Sequence, residues 1–219
     1  MNVKVVAVTQ PVNIDGVDTA EEFVAYCARV SNPSNQLNND TADKLLAYLI
    51  NNKHWSPFEM VHMAIEIKTT RDIGRQILRH RSFSFQEFSQ RYARINIADM
   101  VTREARLQDP KNRQNSVDVD DEFLEHQWQE YQNLVSERII EAYEWALDNG
   151  VAKEQARAVL PEGMTPSTMY MSGTLRSWIH YCALRMGNGT QKEHREIAEQ
   201  CWNGICEHFP SISGLTSNN

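Results

Sequence analysis

The chain has 219 residues, 41% of them hydrophobic, and a formal net charge of −7 at pH 7. These values are typical of a soluble globular protein, with one large domain or two small ones around a substantial core. The acidic total argues against a general nucleic-acid binder, whose domain is usually basic. No apolar run reaches the roughly 20 residues that a membrane helix needs, and the N-terminus lacks the apolar stretch of a signal peptide. We therefore expect a cytoplasmic protein that does not bind membranes.

The first half of the sequence predicts strands and helices in alternation. We predict a strand over 3–9, a helix capped by Thr19 and Glu22 that ends near 31–33, a helix capped by Asp40 or Thr41, an extended or turn segment over 54–59, a strand over 60–69 and a helix over about 70–80. Residues 82–92 interleave Phe83, Phe85 and Phe88 with polar residues. This pattern predicts a loop that aromatic side chains anchor.

The second half predicts mainly helices. The polar segment 93–117 favours short strands and an exposed loop. A long helix over about 120–148 carries an apolar stripe made of Leu124, Trp128, Tyr131, Val135, Ile139, Ala142 and Ala146. Further helices are predicted over 153–160, from a cap at Thr174, and from a capping box of Thr190 and Glu193 to about His208. The pattern predicts an α+β fold that is mainly helical with a small mixed or antiparallel sheet.

Positive charge is concentrated in one segment of this acidic chain. Eight arginines lie between residues 71 and 106. Arg71, Arg75 and Arg79 are four residues apart, so a helix places them along one face. Three neighbouring guanidiniums repel one another unless anions hold them. Those anions are either acidic side chains of the same protein, such as those of residues 118–125, or phosphates of a ligand, whose oxygens match the donor fork of arginine.

Several common catalytic signatures are absent from the sequence. It contains no GxGxxG, GxxxxGK[ST], GxSxG or HExxH motif. The histidines are scattered and Cys27, Cys182, Cys201 and Cys206 lack metal-ligand spacing, which favours reduced, mostly core-facing thiols and no metal site. Ser89 and Cys182 have no neighbouring base that would activate them as nucleophiles, and Ser89 is better explained as a hydrogen-bonding loop serine. One remaining hypothesis is a non-catalytic nucleotide- or RNA-binding module built on the arginine helix.

Five sequence blocks follow one another between residues 54 and 185. They are HWSPFE (54–59), RQILRHR (75–81), SFQEFSQRY (84–92), ARAVLP (156–161) and LRSWIHYCALR (175–185). Within them, Arg79-His80-Arg81 is followed after seven residues by Ser89. This RHRx7S pattern and the other four blocks resemble the motifs of the flavin-dependent thymidylate synthases. A single Arg-His-Arg would be weak support, whereas five blocks in the same order are specific.

The resemblance implies an activity, a fold and an assembly. It implies one domain over 1–219 with the flavin-dependent thymidylate synthase fold, and a homotetramer whose active sites lie between subunits. The implied reaction converts dUMP to dTMP, with methylenetetrahydrofolate as carbon donor and FAD, reduced by NADPH, as hydride source. The implied dUMP-binding residues are Gln76, Arg79, Glu87, Ser89, Gln90, Arg91, Arg157, which would reach in from a neighbouring subunit, and Arg185. The implied FAD-binding residues are Ser56, Arg79, His80, Arg81, Glu87, Thr174, Leu175, Arg176 and His180.

Arg185 occupies the position to which the family's activation of dUMP is assigned. Carbon C5 of uracil attacks an electrophilic methylene better once N3 has lost its proton, because the ring is then richer in electrons. A guanidinium, with a pKa above ~12, is a poor base but a good fixed cation beside the resulting anion. We therefore assign Arg185 to stabilisation of the ionised uracil rather than to proton abstraction. Without the resemblance, a cation serving the dipole of its helix would be the preferred interpretation.

Some positions depart from the family pattern. Gln86 stands where relatives commonly have Asn, and His180 stands where some have Asn. The segment MGNGTQKEH over 186–194 differs more, because Gly189 occupies the position of a usual histidine. No ligand contact is carried over from the family to this segment.

Overall fold

Four antiparallel strands form the main sheet of the protein. The structure is a computed structural model that describes residues 1–218 and the side chains of residues 1–214, so Asn219 of the predicted domain lies outside the described residues. The strands are β1 (Asn2–Val8), β2 (His62–Thr70), β3 (Ser84–Glu87), β4 (Arg106–Gln108), β5 (Ser116–Asp118) and β6 (Pro166–Thr174). The main sheet has the order β1-β2-β6-β3, and β4 and β5 form a separate pair.

Helices make up most of the remaining regular structure. The α-helices in the described residues are α1 (Ala20–Ala28), α2 (Ala42–Asn51), α3 (Arg71–Ile77), α4 (Glu122–Asp148), α5 (Lys153–Ala156), α6 (Leu175–Arg185) and α7 (Lys192–His208). Short 3₁₀ helices span Pro33–Asn35, Ser56–Glu59, Ile97–Asp99, Arg157–Val159 and Pro210–Asn218. None of the described helices is long and apolar enough to cross a membrane. The predicted α+β fold, mainly helical with a small antiparallel sheet, is confirmed.

The main core lies between one face of the sheet and the helices. Strand β2 alternates as predicted, because Met63, Ile65 and Ile67 are buried while His62 and Lys68 are exposed. The buried residues that join this cluster from the helices include Val24 of α1, Leu46 of α2, Ile73 and Ile77 of α3, Trp178 and Cys182 of α6, and Ile197 and Cys201 of α7. This packing fixes α3, α6 and α7 against the same sheet, and all four cysteines are free thiols.

Two strands of the main sheet differ from the sequence prediction. Residues 84–87, predicted as loop, form β3, and residues 166–174, predicted partly as a linker, form β6. The two strands pair with each other, with Phe85 opposite Met171. Strand pairing of this kind depends on distant partners, which a local pattern does not contain. Of the predicted aromatic anchors, Phe83 is buried and Phe85 packs against the core, whereas Phe88 is exposed.

The long helix α4 leaves the first half of its apolar stripe in solvent. Trp128, Tyr131 and Val135 are between 43% and 63% exposed. The helix instead buries Gln132 and Tyr143. An apolar stripe normally faces a core or a partner. By contrast, Ala146 at the end of the stripe packs against the buried cluster of Ile95, Ile97, Tyr143 and Ala156.

The start of α7 also differs from the prediction. The predicted capping box of Thr190 and Glu193 is wrong, because Gln191 is the N-cap and no side chain caps the helix. Glu193 is engaged by Arg103 and Arg106 instead. Two guanidiniums offer a carboxylate stronger, charge-assisted hydrogen bonds than a backbone N–H does. The first capping box, of Thr19 with Glu22 at the start of α1, is confirmed.

Candidate active site

Helix α6 joins two of the sequence blocks that resemble the family. It begins at Thr174, whose Oγ1 accepts a hydrogen bond from the backbone N–H of Ser177 at 3.2 Å. On the first turn, Arg176 forms an ion pair with Glu59 of the 54–59 block. The hydroxyl of Ser177 donates to the carbonyl of Ser82, directly after the Arg-His-Arg block, at 3.4 Å. The start of α6 therefore contacts both predicted cofactor segments.

The same helix continues these contacts along its length. The ring of His180 meets the ring of Trp55 edge-on, with centroids 4.5 Å apart. Burial, and then the charge of Arg176, lowers the pKa of His180. At the C-terminal end, Arg185 Nε donates to His80 Nε2 at 2.8 Å. Successive turns of α6 thus carry the predicted flavin-side and nucleotide-side residues.

The pair of Arg185 and His80 has one consistent protonation state. A guanidinium only donates, so His80 Nε2 must carry a lone pair and the ring proton must sit on Nδ1. Burial, and then the Arg185 charge, lowers the pKa of His80 to about 4. His80 is therefore neutral near pH 7 and holds the Arg185 guanidinium as a hydrogen-bond acceptor. No carboxylate of the described residues forms an ion pair with Arg185, which leaves its charge available to a ligand.

The arginines of α3 and of the segment directly after it divide into two that form ion pairs and two that form none with the described residues. Arg71 lies 3.5 Å from Glu87, and Arg75 lies 2.9 Å from Glu162. Arg79 and Arg81 are exposed and form no ion pair with the described residues. The hypothesis that acids of residues 118–125 neutralise these arginines is wrong, because the carboxylates that pair with Arg71 and Arg75 are those of Glu87 and Glu162. Carboxylates therefore neutralise the arginine stripe at its start. At the Arg-His-Arg end, Arg79 and Arg81 leave two positive charges available to an anionic ligand.

Strand β3 and the residues after it carry another group of predicted contacts. Glu87 accepts a hydrogen bond from the hydroxyl of Ser167 at 2.8 Å in addition to its ion pair. Ser89 is half-buried. Gln90 is only 4% exposed, and its Nε2 has no hydrogen-bond partner in the described residues. A buried donor without a partner costs ~1–3 kcal/mol, so Gln90 is suited to a ligand that accepts from it.

Arg91 and Arg157 converge on one residue of the same chain. Arg91 Nε lies 3.3 Å from the Glu154 carboxylate, and Arg157 Nε donates to the Glu154 carbonyl at 3.3 Å. A cavity of about 640 Å³ opens here, lined by Arg91 and Glu154 together with Tyr92 and Lys153. The two predicted dUMP contacts are thus neighbours. That Arg157 serves the site of a neighbouring subunit stays a prediction.

The remaining predicted FAD contacts differ in accessibility. Ser56 is exposed at the start of its 3₁₀ helix. Leu175 is fully buried, and its backbone N–H donates to the Val61 carbonyl at 2.8 Å. The side chain of Leu175 therefore belongs to the core. Its role toward FAD, like those of Ser56 and Thr174, stays a prediction.

Sequence reasoning missed a buried histidine at the centre of the site. His194 of α7 is 0% exposed. Its Nδ1 lies 3.2 Å from Gln76 Oε1, and its Nε2 lies 3.1 Å from the Tyr181 hydroxyl. The signal was its helical spacing, because His194 shares the buried face of α7 with Ile197 and Cys201. A histidine in an apolar stripe next to a predicted site is a candidate for that site.

The comparisons with known proteins decide the family. The family model described as thymidylate synthase complementing protein matches residues 14–211. A probable flavin-dependent thymidylate synthase of Paramecium bursaria Chlorella virus 1 is 52% identical over 97% of both chains. The chain belongs to the flavin-dependent thymidylate synthase family. The family member of Synechocystis sp. is 48% identical over 97% of this chain and 98% of its own length.

A solved structure supports the same assignment of fold. It is the UMP/dUMP methylase PolB from Streptomyces cacaoi, crystallised with 5-Br dUMP. The two chains align with a TM-score of 0.81 and 26% sequence identity, over 98% of this chain and 95% of that chain. The predicted family and fold are confirmed, and the alternative of a non-catalytic binding module is not favoured.

Proposed function

We propose that this protein is a flavin-dependent thymidylate synthase that methylates dUMP reductively to dTMP. The observation that carries the proposal is the open end of the arginine stripe beside the Arg185–His80 pair. Arg79 and Arg81, which form no ion pair with the described residues, suit phosphate oxygens, and Arg185 offers a fixed cation for an ionised uracil. The names of the relatives at 52% and 48% identity support the activity.

The proposal includes FAD as cofactor, with methylenetetrahydrofolate as carbon donor and NADPH as source of electrons. The side chains fit FAD, because Arg79 and Arg81 suit its pyrophosphate, and the rings of Trp55 and His180 offer apolar surface to a planar ring system. When bound, FAD supplies the hydride that completes the new methyl group. The protein's own residues bind and orient dUMP, and Arg185 stabilises the anion that forms when N3 loses its proton.

We also propose that the protein acts as one domain over 1–219 and assembles as a homotetramer with shared active sites. The exposed stripe of α4, with Trp128 and Tyr131, supports self-association because large apolar side chains at this density normally have a partner. Light scattering on the purified protein should give four times the mass of one chain. A monomeric mass at the concentrations used for assays would contradict the assembly.

One experiment tests the activity directly. The purified protein should be yellow or take up added FAD, and NADPH should bleach its flavin absorption. Addition of dUMP and methylenetetrahydrofolate should then yield dTMP, which chromatography detects. A colourless protein that fails to take up FAD, and that binds nucleic acid in a strongly salt-dependent way, would support the non-catalytic module instead.

The division of the arginines gives a matched pair of variants. Arg79→Ala should weaken binding of dUMP or FAD by about 10- to 100-fold, since it removes charge-assisted hydrogen bonds of ~1.5–3 kcal/mol to the ligand. Arg75→Ala removes an exposed ion pair with Glu162, so binding should stay unchanged and stability should fall by no more than ~1 kcal/mol. Isothermal titration of both variants checks this. Equal loss of binding in the two variants would show that only the total charge of α3 and the segment after it matters.

A further inference from the structure

A chain of side-chain hydrogen bonds runs from α6 to α7 through one predicted dUMP contact. The Tyr181 hydroxyl lies 3.1 Å from His194 Nε2, and His194 Nδ1 lies 3.2 Å from Gln76 Oε1. Gln76 Nε2 donates to Gln191 Oε1 at 2.7 Å, and Gln191 Nε2 donates to Glu193 Oε2 at 2.8 Å. Both ends of the Gln76 amide are therefore held by protein groups.

Glu193 determines which groups donate and which accept along this chain of hydrogen bonds. Burial opposes ionisation of Glu193, but its hydrogen bonds and the charges of Arg103 and Arg106 outweigh that and hold its pKa below the usual value. Arg103 Nη1 lies 3.0 Å from the carboxylate, and Arg106 pairs with its other oxygen. An ionised carboxylate only accepts. Gln191 must therefore turn its NH₂ group toward Glu193 and its oxygen toward Gln76.

The same logic continues to the histidine. Since Gln76 gives its NH₂ group to Gln191, it must turn its oxygen toward His194. His194 then has to carry its proton on Nδ1 and accept from Tyr181 at Nε2. Turning over any single amide would place two donors or two acceptors against each other. The chain has one consistent set of orientations.

The surroundings of His194 keep it in this neutral form. Burial, and then the charge of Arg185 and the nearby His80, lowers the pKa of His194 to about 3. The titratable groups that face it are Arg185 and Tyr181 from α6 and His80 from the segment after α3. Its tautomer therefore persists across neutral pH.

We propose that His194 is a positioning residue that locks the amide of Gln76 in one orientation for the nucleotide. The inference rests on the proposed function, in which Gln76 contacts dUMP. With one N–H on Gln191 and one lone pair on His194, Gln76 keeps one N–H and one lone pair in fixed places for a ligand. Without His194, only the contact with Gln191 opposes rotation of the amide, so Gln76 offers its donor and acceptor in exchanged positions for a larger part of the time.

Two substitutions of His194 separate positioning from packing. In His194→Asn the amide nitrogen takes the place of Nδ1, so the donor to Gln76 is kept and the contact with Tyr181 is lost. In His194→Gln the longer side chain reaches the place of Nε2, so the contact with Tyr181 is kept and the donor to Gln76 is lost. Both remove the same buried ring. We expect dUMP affinity to fall about 10-fold in His194→Gln and to stay within about threefold of wild type in His194→Asn, with similar losses of Tm.

The outcomes distinguish this inference from the proposed function. Equal losses of affinity in both variants, in step with their losses of Tm, would show that His194 only packs. Wild-type protein that does not bind dUMP would contradict the proposed function. The hydrogen-bond chain through His194 would then be tested by a second measurement. That measurement is the ¹⁵N spectrum of wild-type His194, which needs no variant. Protonation at Nδ1 at pH 7 is expected, and protonation at Nε2 or at both nitrogens would overturn the inference.

Discussion

Arg185→Ala should retain bound flavin and lose nearly all formation of dTMP. Arg185 is held by a 2.8 Å hydrogen bond to neutral His80 and forms no ion pair with described residues, so its charge faces the ligand without reorganisation. Removal of one preorganised group that stabilises developing charge costs about 10²- to 10³-fold in kcat. Of the proposed FAD contacts, His80 is the hydrogen-bond partner of Arg185, whereas Arg176 and His180 lie on earlier turns of α6. Cofactor binding should therefore persist.

Two further variants sharpen this test. Arg185→Lys keeps a positive charge but loses the planar fork and the Nε–H that His80 accepts, so its turnover should lie between wild type and Arg185→Ala. Arg195→Ala removes a half-buried arginine that pairs with the exposed Glu199 on α7, and it should have wild-type turnover. The measurements are dTMP formation and the flavin spectrum of each purified variant. Near-normal turnover in Arg185→Ala would remove Arg185 from the mechanism.

Glu193→Ala should destabilise the protein more than any surface change. The Glu193 side chain is 7% exposed and pairs with Arg103 and Arg106, whose side chains are 16% and 12% exposed. Removal of the carboxylate takes one of two carboxylate partners from each guanidinium, because Arg103 keeps Asp72 and Arg106 keeps Glu104. Breaking a buried ion pair costs about 3–5 kcal/mol when the remaining charge is left without a partner, so we expect a loss of about 3 kcal/mol here. For a chain of this size, the loss corresponds to a fall in Tm of about 6–12 °C.

Calorimetry at several pH values checks this prediction. Glu199→Ala on the same helix breaks only a partly exposed pair with Arg195, 3.9 Å apart, and should change Tm little. The folded pKa of Glu193 is lowered, so its contribution is present above the unfolded pKa and is lost as pH falls through the folded pKa. The gap in Tm between wild type and Glu193→Ala should therefore narrow below about pH 4. A gap of the same size at pH 3 and pH 7 would contradict the role of the ionised carboxylate.

Local signals in the sequence identified much of the fold. The capping box of Thr19 with Glu22, the alternation in β2 and the cap of Thr174 on α6 each depend on residues a few positions apart. By contrast, β3 and β6 exist because they pair across some 80 residues of sequence. Likewise, the spacing of Thr190 and Glu193 predicted a capping box, but the Glu193 side chain instead pairs with arginines about 90 residues away in the chain.

The candidate site was predictable in its residue types and not in its electrostatics. Motif resemblance named Arg79 and His80, and helical spacing placed Arg71, Arg75 and Arg79 in one stripe. It could not tell which arginines are neutralised, because Glu87 and Glu162 reach α3 only through the folded sheet. His194 escaped prediction because its partner Gln76 lies 118 positions earlier in the chain.

Helix α6 would couple the binding free energy of the proposed cofactor to that of the proposed substrate. Arg176 and Arg185 stand about 14 Å apart on one helix, and a helix of this length moves as a rigid rod. A shift of its first turn when FAD binds would therefore move Arg185 by a similar amount. Binding free energies obey reciprocity, so any factor by which FAD tightens dUMP must equal the factor by which dUMP tightens FAD. The affinity for either ligand is then defined only at a stated occupancy of the other.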